Sequence, residues 1–300
     1  MDLTELINLC KQINIDYKIG GKTASINSFM VGNRANIIVF PDNIKKLTKI
    51  LDLVLVNKYK YVVIGNGTNV YFCDDYDGVV IVTKQINSIA VENNCILADC
   101  GASITACASV ALNNALEGFE FSYGIPGTVG GAVYINASAF GSSVSNIVFE
   151  SLVYDLKTRS IKTISKQEHQ FKTKESIFSK EKSYIVLSTK FLLENGNIQS
   201  IKEKMEKYLN RRKETQPLDL PSAGSVFVKP KDAYASQLID EAGLKGYRIG
   251  GAEISKKHAG FIVNVASATA SDINSLIKHV KAIIKSKYNI ELKEEIIYIE

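Results

Sequence analysis

In the segment PSAGSVFVKP (221–230) two hydroxyls, Ser222 and Ser225, stand around a glycine between two prolines, with Lys229 close behind. A serine held on a fixed loop can act as a proton donor. A serine in a turn can equally cap backbone groups, and both readings stand at this point. The segment is not GxSxG, because position 223 is Ala223. No nucleophile elbow is predicted, and a hydrolytic triad would need His258 or His169 brought alongside. LKEEIIYIE (292–300) sets Glu294 and Glu295 side by side. In an extended strand the two point to opposite faces, so one can serve a cleft while the other is solvated.

Three glycine-rich segments suggest anion binding. IGGKT (19–23) resembles a phosphate loop, but the leading glycine of GxxxxGK[ST] would fall on Asp16, whose carboxylate repels phosphate. GNGTN (65–69) follows the apolar run Tyr61–Ile64, yet Val70 stands where GxGxxG needs its third glycine and no helix pattern follows. What remains is a tight turn with the small polar side chains Thr68 and Asn69, able to grip a diphosphate as a backbone nest or to act as a plain turn. GIPGTVGGAVYINASAFG (124–141) is more telling. Pro126 fixes one dihedral, and Gly130-Gly131 removes two Cβ atoms, so a flat or charged ligand can approach the backbone. This segment is expected to lead into an apolar strand, Ala132–Ile135.

The elements that must carry these groups read as α+β. The chain has 300 residues, 46% apolar and 22% charged, with 20 Gly and 5 Pro. That composition excludes disorder, collagen and coiled coil. No run of 18 or more apolar residues offers a membrane span. MDLTELINLCKQ begins with acids where a signal peptide has a basic lead, so an intracellular, cytoplasmic, unprocessed chain is expected. The five cysteines form no CxxC pair and are expected as reduced thiols. The three histidines show no metal-ligand spacing, so no metal is expected. The net charge of +5 is spread out, and Lys278–Lys287 alternates with apolar residues at helical spacing. A solvated helix face, not a nucleic-acid surface, is expected there.

Helices are predicted at Leu3–Ile13, after an Asp42 or Asn43 cap with Ile44, Leu47, Ile50, Leu51 and Val54 on one face, and at Ile104–Asn114, Ile198–Arg212, Ala233–Ala242 and Ser271–Tyr288. Strands are predicted at Tyr61–Ile64, 78–84, Ile89–Val91, Cys95–Asp99, Ile147–Leu156, Ile185–Leu193 and Gly260–Val265. Three sections follow, 1–85, 86–197 and 198–300.

In this order the pieces resemble the UDP-N-acetylenolpyruvoylglucosamine reductase family. The carriers are VIGNGTN (63–69), GIPGTVGGAVYINASAFG, SIF (176–178), TQPLDLPSAGSVFVKP (215–230), LIDEAGLKGYRIGGAEISKKHAGFIVN (238–264) and LKEEI (292–296). The resemblance implies a two-part FAD-binding region of the vanillyl-alcohol-oxidase (PCMH) type, from 1–85 and 86–197, and a C-terminal α+β substrate domain at 198–300. With only Ser179–Tyr184 between SIF and the next strand, it implies the short form, lacking the extra substrate-covering loop.

The implied activity is reduction of FAD by NADPH, then hydride delivery from flavin N5 to an enolpyruvyl ether of UDP-N-acetylglucosamine. Ser225 matches the proton-donating serine and Glu295 the active-site glutamate. Lys174 stands where the family has an arginine. Flavin contacts are implied at Gly65, Asn66, Gly67, Thr68, Asn69, Tyr123, Gly124, Ile125, Pro126, Gly127, Gly130, Gly131 and Ala132, and substrate contacts at Lys213, Gly224 and Lys229. The small-molecule substrate is the only partner implied, and a monomer is favoured. Three segments depart from the family pattern: Thr173-Lys174 for a tyrosine–arginine pair, VGN (31–33) for IGG, and Ser138 for a glycine. A relative with another substrate or no catalysis, or a nucleotide-sugar-binding module without flavin, would carry many of the same motifs.

Overall fold

The computed structural model describes residues 2–231 and 233–300. Two compact units emerge, and neither is a continuous stretch. The first takes in the chain up to Ile19, Ile37–Asn66 and Gly78–Arg211; the second takes in Gly20–Asn36, Gly67–Asp77 and Arg212–Glu300.

The first unit contains two sheets. In one, the strand order is Asp16–Ile19, Ala35–Phe40, Tyr76–Val82, Tyr61–Ile64. The last two run parallel, with Tyr61 opposite Val79 and Ile64 opposite Val82. Helix Ile44–Val56 starts where Asn43 Oδ1 accepts the amide of Lys46 at 2.9 Å, and it buries Leu47, Ile50, Leu51 and Val54. That is the face expected from the 3.6-residue spacing. The other sheet is five-stranded and antiparallel, ordered Ser160–Ser165, Val148–Asp155, Tyr184–Leu192, Cys95–Asp99, Ile89–Glu92. Helix Ile104–Asn113, capped by Ser103, buries Ile104, Cys107, Ala108 and Ala111 in the same core as this sheet.

The apolar run after the second glycine cluster is a helix, Val129–Tyr134, and not the expected strand Ala132–Ile135. Thr128 decides it. Its hydroxyl accepts the amide of Gly131 at 3.4 Å and so starts a helical turn. A four-residue apolar run carries no period long enough to separate strand from helix.

In the second unit a four-stranded antiparallel sheet is ordered Ser222–Ser225, Phe261–Asn264, Ala252–Ile254, Arg248–Ile249. Helix Ala270–Tyr288 begins in a reciprocal cap: the Asp272 amide donates to Thr269 Oγ1 at 3.1 Å and the Thr269 amide to Asp272 Oδ2 at 3.0 Å. It buries Ile273, Leu276, Ile277, Val280 and Ile284. Phe29, Val31 and Tyr71 join this core from the two early segments. Strand Ile297–Ile299 pairs in parallel with Val70–Phe72. The contiguous sections read from the sequence do not anticipate this interleaving, because strand partners and core contacts here are chosen across more than 200 positions.

Candidate active site

In the first unit the two glycine loops close on each other. Asn66 Nδ2 donates to the carbonyl of Pro126 at 2.8 Å. Gly65 is pressed so near Thr128 that an added Cβ would lie 2.0 Å from its hydroxyl oxygen. Only glycine fits there. Thr105 holds the next loop from below: its hydroxyl donates to the carbonyl of Ile125 at 2.9 Å and accepts the amide of Gly124 at 3.1 Å. The amide of Ile104 donates to the carbonyl of Gly127 at 3.1 Å, and that of Gly130 to Cys100 at 2.8 Å. Gly131 is different. It is exposed, and a Cβ there would meet only the Thr128 hydroxyl at 3.5 Å, so its backbone is open to a ligand. Tyr123 is half-buried against the core, Pro126 is exposed, and Ala132 lies inside the core.

Lys174 belongs to the same unit. Lys172 and Glu175 exchange backbone hydrogen bonds of 2.9 and 3.2 Å, which puts Thr173 and Lys174 at the tip of a tight turn, with Lys174 at φ +57°. The turn hangs from the far end of the Val129–Tyr134 helix. Asn136 Nδ2 donates to the carbonyl of Lys172 at 2.9 Å, and Ser176 Oγ to that of Tyr134 at 2.6 Å. Asn136, Ser176, Thr105 and Thr128 therefore hold these loops in place. Of these only Ser176, within SIF, and Thr128 and Asn136, within the glycine-rich block, lie in segments the sequence marks at all.

In the second unit Ser225 is displaced by a β-bulge. Ser222 pairs with Val263 and Ser225 with Phe261, so three steps on one strand match two on the other. Gly224, at φ +80°, is the extra residue. Without it, alternation would send Ser225 inward with Ala223. With it, Ala223 and Val226 are both buried at 1% exposure, and Gly224 and Ser225 remain half-buried between them.

Glu295 is bound to the segment that follows this strand. Its amide donates to the carbonyl of Val226 at 2.7 Å, and the amide of Val228 donates to Lys293 at 2.9 Å. Asn69 Nδ2 donates to the carbonyl of Glu295 at 3.1 Å. The side chain of Glu294 pairs with Lys281 at 2.8 Å. Ser28, which the sequence does not single out, joins the early segments to the serine strand. Its hydroxyl donates to the carbonyl of Ser222 at 2.6 Å and its amide to that of Gly67 at 3.0 Å. Gly67 is buried at φ +63°, while Thr68 is half-buried. Lys229 Nζ lies 4.1 Å over the ring of Tyr234. Lys213 is in the last turn of helix Ile198–Thr215, where its carbonyl accepts from Lys257 Nζ at 2.6 Å.

Other reactive groups are occupied elsewhere. Both ring nitrogens of fully buried His169 are engaged, Nε2 with Ser151 Oγ and Nδ1 with the carbonyl of Ser165, each at 2.8 Å. Burial holds its pKa below the usual value. His258 Nδ1 accepts the amide of Gly260 at 3.1 Å. Desolvation raises the thiols of Cys10 to about 11 and of Cys100 and Cys107 to about 12, so they stay protonated and poorly nucleophilic. Among the described residues no group of three His, Cys, Asp or Glu could hold a metal ion, and no helix is long and apolar enough to cross a membrane.

Comparison with known proteins matches two segments of the chain. Residues 35–157 match a model described as an FAD-binding domain, and residues 216–299 match the C-terminal domain of UDP-N-acetylenolpyruvoylglucosamine reductase. A UDP-N-acetylenolpyruvoylglucosamine reductase of Caldanaerobacter subterraneus subsp. tengcongensis is 43% identical over 270 residues, covering 90% of this chain and 89% of its own. One from Petrotoga mobilis is 42% identical, covering 89% and 90%. The crystal structure of the reductase from Thermus caldophilus superposes with a TM-score of 0.80 at 25% identity, covering 95% of this chain and 99% of that one.

Proposed function

This chain belongs to the UDP-N-acetylenolpyruvoylglucosamine reductase family, and from that premise we propose how its residues share the reaction. It is an FAD-dependent oxidoreductase of α+β architecture, with an FAD-binding region of the vanillyl-alcohol-oxidase type and a C-terminal substrate domain. It reduces the enolpyruvyl group of UDP-N-acetylglucosamine enolpyruvate to a lactyl ether, in the cytoplasm, as a step of peptidoglycan precursor synthesis. NADPH is the electron donor. The single observation that carries the assignment of roles is the bulge that turns Ser225 out of the core next to Val226, whose carbonyl accepts the amide of Glu295.

The residues present suit the flavin. Gly131 leaves backbone open to a flat ring or a diphosphate, and Gly65 lets the loop at 65–66 close on 126–128. Gly124, Ile125, Pro126, Gly127 and Gly130, with Asn66, Gly67, Thr68 and Tyr123, would line or support that cradle. When bound and reduced, FAD supplies the hydride for the substrate's methylene carbon.

Negative charge then develops on the substrate and spreads into its carboxylate. Lys174, at the tip of its turn, offsets that charge. Ser225 donates its hydroxyl proton to the carbon next to the carboxylate. Serine is a weak acid, so donors fixed in advance must stabilise its developing alkoxide; Lys229 and the amide of Gly224 serve. Glu295 orients and polarises the reacting centre, while Lys213 and Lys229 hold the anionic nucleotide-sugar.

Purified protein tests this in one cuvette. A flavin absorption band is expected, together with NADPH consumption that requires the enolpyruvyl substrate. A flavin band without substrate-dependent consumption would favour the second reading, a relative with another substrate, for which Thr173-Lys174 is the one supporting observation.

A further inference from the structure

We propose that Asn69 is a positioning residue for Glu295, a role that rests on the reductase reading of Ser225 and Glu295. Around Glu295 the chain changes partners. Before it, Glu294 bridges Phe227 and the amide of Glu295 reaches Val226, both on the segment that follows Ser225. After it, Ile297 begins a parallel pairing with Val70. The carbonyl of Glu295 falls at this change-over, and the side chain of Asn69 supplies its donor at 3.1 Å. The backbone carbonyl of Asn69 accepts the amide of Ile297 at 2.9 Å. One residue thus grips the chain on both sides of the position next to Glu295.

The consequence is geometric. The peptide group on the amino side of Glu295 is bonded to Val226, adjacent to Ser225, and its own carbonyl is bonded to Asn69. With both ends fixed, the backbone that carries the Glu295 side chain keeps one direction relative to the serine strand, and from it the carboxylate is aimed. Releasing one end lets that direction wander while the fold around it stays closed. Asn69 also lies in the GNGTN turn, where the sequence suggests a flavin contact, so the amide has two competing uses and the structure shows it turned to Glu295.

The test uses the flavin-loaded full chain as wild type, Asn69→Ala, Glu295→Gln and the double variant. Each is reduced with NADPH and mixed with UDP-N-acetylglucosamine enolpyruvate, and the return of the flavin band is timed. Asn69→Ala is expected to slow that return by about 10- to 100-fold, the scale of misplacing a reacting group by about 1 Å. In the Glu295→Gln background the same change should cost less than about 3-fold, because the two act through one group. Amide hydrogen exchange supplies a readout independent of turnover. Exchange at Glu295 and Ile296 should speed up in Asn69→Ala, while Ile297 keeps its protection because the Asn69 carbonyl remains. Asn69→Asp, of equal size but without the donor, should behave alike if the alanine variant does not fold.

Equal slowing in both backgrounds, loss of bound flavin in Asn69→Ala, or unchanged exchange at Glu295 would overturn the proposal. If wild-type flavin is not reoxidised by the substrate, the reductase reading fails instead, and the exchange result still decides whether Asn69 holds Glu295.

Discussion

By the family resemblance, Lys174 stands where an arginine is expected, and its role is a proposal. Arginine can clamp a carboxylate with two parallel hydrogen bonds, whereas lysine presents a point charge. Losing that geometry should cost about 1–3 kcal/mol of transition-state stabilisation, or roughly 10- to 100-fold in rate. Lys174→Arg should therefore raise turnover with substrate, measured as steady-state NADPH oxidation; an unchanged or lower rate in a folded variant contradicts the role. His169 makes a different prediction, about stability. Its folded pKa lies below its ordinary 6.5, so as pH falls through 6.5 the unfolded chain takes up a proton that the buried ring refuses. Its contribution is complete above that value and is lost on going lower, towards the folded pKa. Urea unfolding of wild type should weaken between pH 7.5 and 5 more steeply than that of His169→Gln, and parallel slopes would contradict it. At this scale Ser225 and Glu295 stand out in the sequence as a hydroxyl beside glycine and one of two adjacent acids, and their roles are proposals; the strand expected at the acids begins only at Ile297. The sequence marks Asn69 as a small polar residue and, by resemblance, a flavin contact, and does not mark Ser28; the bonds they make are hidden because their partners Glu295 and Ser222 lie 226 and 194 positions away.

The element that matters most is the bulged strand Ser222–Ser225. Alternation alone would bury Ser225, and Gly224 reverses that with one extra residue at φ +80°. No atom lies within 4 Å of a Cβ built on Gly224, so a substitution there meets backbone strain and no steric clash. Gly224→Ala should cost about 1–2 kcal/mol of stability from the left-handed backbone. It should also slow substrate-dependent flavin reoxidation by at least about tenfold, as Ser225 is re-aimed. Denaturant midpoints and stopped-flow traces read the two effects separately, and an alanine variant equal to wild type in both would remove the bulge from the account. The helices with long apolar periods, such as Ile44–Val56 and Ala270–Tyr288, were predictable because each buries a face its own spacing defines. The Val129–Tyr134 helix was not, since its start depends on a single threonine cap.

For the whole molecule, the interleaved chain has a consequence for any attempt to divide it. Phe29, Val31 and Tyr71 belong to the core built with the C-terminal part, each at most 2% exposed. Exposing side chains of this kind costs roughly 1.5–3 kcal/mol apiece. A fragment of residues 1–211 should therefore be cleaved by protease first within 20–36 and 67–77; full protection of those segments in the fragment would contradict the division seen here. Ser225 is proposed to complete a reduction begun by flavin-borne hydride, and paired half-reactions test this most directly. Ser225→Ala should bleach its flavin with NADPH at close to the wild-type rate, then regain the yellow band with substrate slower by several orders of magnitude. If both half-reactions slow together, or if neither does, Ser225 is not the proton donor.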